Sequence, residues 1–410
     1  MESLGLEACP HEPCVFKGQS PTGGTIYFGT YVDDCIYYGT DDDTEAWFEE
    51  ELSKKLTIDW MGELSWYLGV LYHWDRTPEG QLTVHMSQEA YIQKMLEDHS
   101  AAGNTELTPY RTGLVVDRIP HDGVAKEDKP QLVKRYQSLV GSLNWLSCST
   151  RPDITTAVSL LSRQLQNPSP GHLDAGKHVL RYLQGSADWG IRFTQPLLDG
   201  PTYDPALCLK GVAAWPMNVK DSDGDEFPAL PIVARLDAYS DSNWGPQDAS
   251  EPKPGETRHP DEVKSLLGAM VTYLGGPLDW CSVREGRTSR NVCESEIKAM
   301  DEACKLIEYV RLFLEDLGSP EPQQPTKLEA PILFADNKGG VDWAHSSAIT
   351  KRLRYMNIRE VAIRDAIAAG EVQLGHIPGA INQSDIFTKE HKDRQHYVRL
   401  RGSIMSPRQP

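Results

Sequence analysis

Two adjacent aspartates, Asp33 and Asp34, stand between Thr25-Ile26-Tyr27-Phe28 and Cys35-Ile36-Tyr37-Tyr38. Both flanks are rich in aromatic and β-branched residues, which predicts two strands meeting at a hairpin tip. Side by side at such a tip, two carboxylates can hold a divalent cation through hard oxygen ligands. Asp is also a common turn residue, so these letters alone favour an acidic β-turn. Two further acids close predicted strands far downstream. Asp241 ends Leu236-Asp237-Ala238-Tyr239-Ser240, and Asp336 follows Pro331-Ile332-Leu333-Phe334-Ala335. Other polar runs suit structure better than chemistry. Asp41-Asp42-Asp43-Thr44 reads as a helix start, with acids favoured by the dipole. Asp221-Ser222-Asp223-Gly224-Asp225-Glu226 lacks the register of a calcium loop. His172 and His178, six apart, do not make a helical metal pair.

The elements that would position these acids follow from pattern. Leu64–Tyr72 predicts a strand, and Pro78-Glu79-Gly80 turns the chain into another over Gln81–Met86. A helix from about Ser87 carries Tyr91, Ile92 and Met95 on its apolar face. Residues 101–130, rich in Pro, Gly and charge, predict a linker. Helices follow from Tyr136, from Arg151-Pro152 with proline in the first turn, and up to Gly185. Residues 195–232 are weakly patterned. Beyond them come strands over Leu236–Gly245, Leu267–Leu274 and Leu278–Val283, then a helix over Asn291–Leu317. That helix repeats Ile297, Met300, Cys304, Ile307, Val310 and Leu314 at spacings of three or four. A fourth strand ends at Asp336, a fifth covers Glu371–Gly375, and Asn382–Lys389 predicts another helix.

Composition sets limits. With 410 residues the chain suits two or three domains. No segment approaches a membrane span, and Met1–Gly5 lacks the basic and apolar parts of a signal peptide. The eight cysteines form no Cys-x-x-Cys pair, which predicts free thiols in a reducing compartment. The formal charge of −18 opposes tight nucleic-acid binding overall. It is uneven, however: residues 349–410 hold eleven Lys/Arg against six Asp/Glu, which leaves a local basic face possible.

Tyr31-Val32-Asp33-Asp34 between two strands resembles the polymerase motif of reverse transcriptases. Gly62-Glu63-Leu64-Ser65-Trp66-Tyr67-Leu68-Gly69 resembles the segment after that hairpin in copia-type LTR retrotransposon polymerases. Tyr239-Ser240-Asp241-x-x-Trp244, Asp336-Asn337 and Asp385-Ile386-Phe387-Thr388-Lys389 are the most specific marks of the same family. The resemblance covers residues 1 to about 402. It implies an α/β and α+β multidomain chain: a partial reverse-transcriptase palm over 1–100 and a helical thumb or connection over 101–194. A linker or insertion over 195–232, a ribonuclease H-like mixed sheet with flanking helices over 233–402, and a tail over 403–410 would follow. The ribonuclease H site uses four carboxylates, matched here by Asp241, Glu296, Asp336 and Asp385. Glu294 competes with Glu296, but at about 100° per residue Glu296 lies about 40° from Met300 and Glu294 about 120° away. Four gathered acids repel unless metal offsets them. The implied cofactor is Mg²⁺ or Mn²⁺, two ions in the ribonuclease H site, with Asp33 and Asp34 as metal ligands of the polymerase hairpin.

The implied activity is metal-dependent hydrolysis of RNA in RNA–DNA hybrids, beside an incomplete RNA-directed DNA polymerase module. Residues 1–30 contain no aspartate, whereas the family places a further catalytic one upstream of the hairpin, so the chain alone is not expected to extend a primer. The implied partners are an RNA–DNA hybrid or template-primer duplex, and a polymerase part or second Pol chain, in the cytoplasm or nucleus. Arg284, Arg287, Arg290, Lys351, Arg352 and Arg354 are the expected phosphate contacts, with a solvated basic surface as the plain alternative. Departures from the family pattern are Asn243 for an aspartate, Arg354–Arg359 for a basic motif, and Ala380 where cellular ribonucleases H carry histidine. His376 is expected to pack a strand end. The rival reading is a catalytically inactive nucleic-acid-binding remnant of a retroelement.

Overall fold

The aromatic and β-branched runs around Asp33 fold as sequence pattern dictates. In the computed structural model, β1 (Glu7–Cys9), β2 (Glu12–Gln19), β3 (Thr25–Tyr31) and β4 (Asp34–Gly39) form an antiparallel meander in chain order. Helix α1 (Asp42–Ser53) starts at Asp41, whose carboxylate accepts the Thr44 N–H at 2.8 Å. Phe48 and Leu52 from α1 pack on Ile26 and Phe28 with Leu4 and Leu6, closing a small core. The structure describes residues 1–100, 103–111, 116–195, 217–220, 226–229, 235–244, 264–318, 329–346, 358–389 and 394–408. Contacts divide the chain into one unit of residues 1–72 with 308–329, and a second of residues 73–307 with 330–410.

The strand expected over Leu64–Tyr72 is instead a hairpin of β5 (Trp66–Tyr67) and β6 (Val70–Arg76). Leu68 and Gly69 take φ of 49° and 78°, and two positive φ values at a two-residue loop reverse the chain tightly. Alternation alone could not show this, because both arms carry aromatic residues.

In the second unit, β7 (Leu82–Ser87) leads to α2 (Glu89–Asp98). It pairs antiparallel with β8 (Trp189–Thr194), which in turn pairs with β16 (Ser406–Pro407). Between them lie α3 (Lys129–Ser147), α4 (Thr155–Ser162) and α5 (Pro170–Gln184). A short pair, β9 (Met217–Lys220) and β10 (Glu226–Ala229), follows. The main sheet contains β11 (Asp237–Asn243), β12 (Leu266–Tyr273), β13 (Gly276–Arg284), β14 (Ile332–Ala335) and β15 (Gln373–His376), in the order β13-β12-β11-β14-β15. β11 runs antiparallel to β12 and parallel to β14, and β14 runs parallel to β15. The sheet is therefore a three-stranded meander with two parallel strands added beside its first strand, a mixed sheet. The long helix α6 (Val292–Leu317) packs Ile297, Met300 and Ile307 inward. Two helices that the pattern did not reveal, α7 (Lys338–His345) and α8 (Ile358–Ala368), follow β14, and α9 (Arg394–Ile404) follows β15.

The helices α3–α5 share one apolar core with this sheet: Leu139, Leu143 and Leu161 belong to the same cluster as Met270, Phe334 and Phe387. Polar contacts reinforce the joint. Trp280 on β13 donates its indole N–H to the Ser147 carbonyl at 2.8 Å, and the Thr156 hydroxyl donates to the Ile386 carbonyl at 3.0 Å. Deeper in, Arg151 grips Asp153 bidentately at 2.9 and 2.7 Å, with both side chains fully buried. Tyr182 also donates to Asp153, and Tyr397 on α9 donates to the Asp153 carbonyl at 3.0 Å. A buried ion pair is tolerated when its remaining hydrogen-bonding capacity is met, as it is here.

Candidate metal centre

β11 and β14 are parallel neighbours in the register Ser240↔Ala335, so the residues that follow, Asp241 and Asp336, emerge side by side at one end of the sheet. Asp385 arrives from a third direction. The helix expected over Asn382–Lys389 is a five-residue 3₁₀ turn, Gln383–Phe387. The Asn382 side chain tightens its start by accepting from the Ser384 amide and hydroxyl at 3.2 and 2.7 Å. Thr388 then ends it by donating its hydroxyl to Asp241.

Two glycines make this convergence possible. Gly268 lies opposite Asp241 on β12, and a Cβ there would sit 2.7 Å from Thr388 Cγ2 and 2.8 Å from Phe387 Cβ. Without a side chain, the turn can lie directly on the strand. A Cβ on Gly379 would stand 2.8 Å from Asp336 Oδ2, so this glycine leaves room for the carboxylate. His376 holds the same corner from behind, its Nε2 3.1 Å from the Asp336 carbonyl oxygen, which is the strand-end role expected of it.

Asp241, Asp336 and Asp385 each offer an oxygen within 4.8 Å of the others. Glu296, in the first turns of α6, is also buried and faces Asp241 and Asp336 closely enough for their charges to act on it. Its Oε2 has no hydrogen-bond partner among the described residues. Burial pushes the Asp241 and Glu296 carboxyls well above the usual range. Repulsion adds to this, from Asp385 and then Asp336 on Asp241, and from Asp241 and then Asp336 on Glu296. Asp336 is raised by burial and by Asp385. A dry site crowded with hard anionic oxygens, one of them orphaned, fits a hard divalent cation such as Mg²⁺ or Mn²⁺ and not a soft one.

Glu294 proves equally buried, against the expectation from helical phase. It faces a different set of groups: Lys298 at 3.2 Å, Arg287 at 3.3 Å and the Arg290 amide at 2.8 Å. A neighbouring loop covers that side of α6, so phase relative to the core did not predict exposure. Sequence reasoning missed two cationic or ring groups at the centre. Lys389 Nζ lies 2.6 Å from Asp385 Oδ1 and 3.5 Å from Asp241 Oδ1. His396 Nε2, on α9, lies 3.4 Å from Asp385 Oδ2. The four-residue step from Asp385 to Lys389 was a readable signal; nothing in the sequence ties His396 to Asp385.

The remaining expected residues lie elsewhere. Asp33 and Asp34 are exposed at the β3–β4 tip, where the register Tyr31↔Asp34 leaves the loop Val32-Asp33. Val32 takes φ of 55°, a strained value for a β-branched residue. Among the described residues they join no cluster of three ligands. Arg284 is paired with Asp117, while Arg287 and Arg290 are exposed. Lys351, Arg352 and Arg354 lie outside the described residues. Among the described residues the seven cysteines form no disulfide, and no described helix is long and apolar enough to cross a membrane.

The second unit is thus a mixed α/β structure with a carboxylate cluster at one end of its five-stranded sheet. Over about nine-tenths of its length, the chain is similar to retrovirus-related Pol polyproteins of plant transposons. It is 26% identical over 379 residues to that of transposon TNT 1-94 from Nicotiana tabacum, covering 92% of this chain and 24% of that protein. It is 26% identical over 366 residues to that of transposon RE2 from Arabidopsis thaliana, covering 89% and 21%. The chain thus spans about a quarter or less of the length of these relatives. No protein-family model matches it. By shape, the N-terminal RNase H domain of rv2228c from Mycobacterium tuberculosis aligns with 42% of this chain and 99% of its own, at 12% identity and a TM-score of 0.25.

Proposed function

We propose that this chain is the ribonuclease H-bearing part of a retrotransposon Pol polyprotein and hydrolyses the RNA strand of RNA–DNA hybrids. The observation that carries this reading is the convergence of Asp241, Asp336 and Asp385 within 4.8 Å, with Glu296 beside them. Asp241, Asp336 and Asp385 would hold the divalent ion, with Glu296 closing the set from α6. A divalent ion, when bound, makes water a stronger nucleophile and offsets the charge that builds on the phosphate. The protein's part is to fix the ligand oxygens: Thr388 orients Asp241, Gly379 leaves space for Asp336, and the 3₁₀ turn presents Asp385. Arg287 and Arg290, together with Lys351, Arg352 and Arg354, would contact hybrid phosphates and set register without reading sequence. In the first unit, the β3–β4 hairpin with Asp33 and Asp34 would be a palm remnant; in the second, α3–α5 would be a thumb or connection.

The test is cleavage of a labelled RNA–DNA hybrid by the purified chain with Mg²⁺, Mn²⁺ or chelator. Metal-dependent cleavage that Asp241→Asn removes supports the reading; hybrid binding without cleavage under any metal would establish the inactive remnant instead. The charge of −18 is the observation that favours that second reading.

A further inference from the structure

Lys389 is not a rim charge that happens to lie near acids. Its backbone N–H donates to the Asp385 carbonyl at 3.2 Å, so the turn that presents Asp385 also fixes the lysine. The preceding residue, Thr388, is pinned to Asp241. From this anchor the stem enters the cluster, leaving the side chain 31% exposed, and the ammonium lies between Asp385 Oδ1 at 2.6 Å and Asp241 Oδ1 at 3.5 Å. Asp241 and Asp385 are also two of the three acids that would hold a divalent ion.

We propose that the Lys389 ammonium is a tethered cation of the carboxylate cluster, holding its Asp241–Asp385 side in competition with a divalent ion. The nucleic-acid-free protein therefore takes up one divalent ion, and a second enters only when Lys389 is neutralised or displaced. The inference rests on the metal-centre reading above. Charge balance supports it. Asp241, Glu296, Asp336 and Asp385 supply four negative charges when ionised. Two divalent ions match that alone, and one divalent ion with Lys389 leaves a single charge over. Two ions with Lys389 in place would overload the site, and like charges at contact distance in a buried centre repel strongly.

The experiment is calorimetric titration of Mn²⁺ into the full, chelator-stripped chain without nucleic acid, for wild type, Lys389→Gln and Lys389→Arg. The expected result is one ion for wild type and for Lys389→Arg. Lys389→Gln should take two, or bind the first at least about tenfold more tightly, because one opposing charge is gone. Thermal melts with and without Mn²⁺ give a second readout, with Lys389→Gln gaining more from the metal than wild type. Identical isotherms and identical metal-induced shifts for wild type and Lys389→Gln would overturn the proposal while leaving the metal centre intact. Absence of Mn²⁺ binding in all three chains would overturn the metal centre and this inference with it.

Discussion

Asp241→Asn should make the metal-free protein more stable while disabling it. Asp241 is almost wholly buried, and burial, then Asp385 and Asp336, raise its carboxyl from an ordinary 3.8 to about 7. Lys389 and the Thr388 hydroxyl pull the other way without cancelling the rise. An acid whose pKa is raised on folding favours the protonated native state. The destabilisation that this one carboxyl brings to the metal-free protein is therefore absent below about pH 4 and grows until pH passes about 7. Linkage of that rise sets a ceiling on the order of a few kcal/mol at pH above both values. Asn loses part of the attraction to Lys389, so a gain of about 1–3 kcal/mol at pH 8 is expected, or several degrees in Tm for a unit of this size. The assay is denaturation in chelator at pH 5 and pH 8. Wild type should weaken between them, and the variant should change much less. With Mg²⁺ the order reverses, because wild type gains from binding and the variant loses most of that linkage. Hybrid cleavage should fall on the order of 10²-fold or more. A variant less stable than wild type in chelator at pH 8, with an unchanged pH dependence, would refute the claim that this cluster is self-repelling.

Three further outcomes are expected. Gly379→Ala should weaken Mn²⁺ binding with little change in far-UV circular dichroism, because its Cβ would meet Asp336 Oδ2 at 2.8 Å; unchanged binding would show that the carboxylate moves freely. Arg151→Met should destabilise the protein by about 3–5 kcal/mol by denaturant titration, because it leaves Asp153 buried without its cation. Neutralising Arg287 and Arg290 together should weaken hybrid binding and lower its salt slope by about two, measured by fluorescence anisotropy across salt concentrations.

Much of the site was legible because it depends on local periodicity. Asp336 could be placed at a strand end and Asp241 on the neighbouring strand, since strand alternation and chain punctuation are properties of a few adjacent residues, although Asp241 stands inside β11, two residues before its end. Glu296 could be chosen over Glu294 since helical phase fixes which residues share a face with Met300. Both readings stop where a second segment intervenes. Glu294 is buried by the loop that brings Arg287 and Arg290 against α6, and no phase argument contains that loop. Asp385 was found, but its 3₁₀ turn was expected as a helix, because Asn382 and Thr388 decide the conformation and Thr388 acts through a partner 147 residues away.

By itself the sequence determined most of the main-sheet strands, the long helix α6, the segments on which the acids stand, and a net charge of −18. Only the tertiary structure decided which acids meet. Gly268 lets the turn lie on β12, Gly379 admits Asp336, and the fold sets the Lys389 ammonium between Asp241 and Asp385. It also joined the α3–α5 array to the main sheet through Trp280 on β13, and to α9 through Asp153 and Tyr397. These outcomes rest on close approach between segments distant in the chain. Close approach is governed by steric room and by charge desolvated together, and neither has a period that a linear sequence can display.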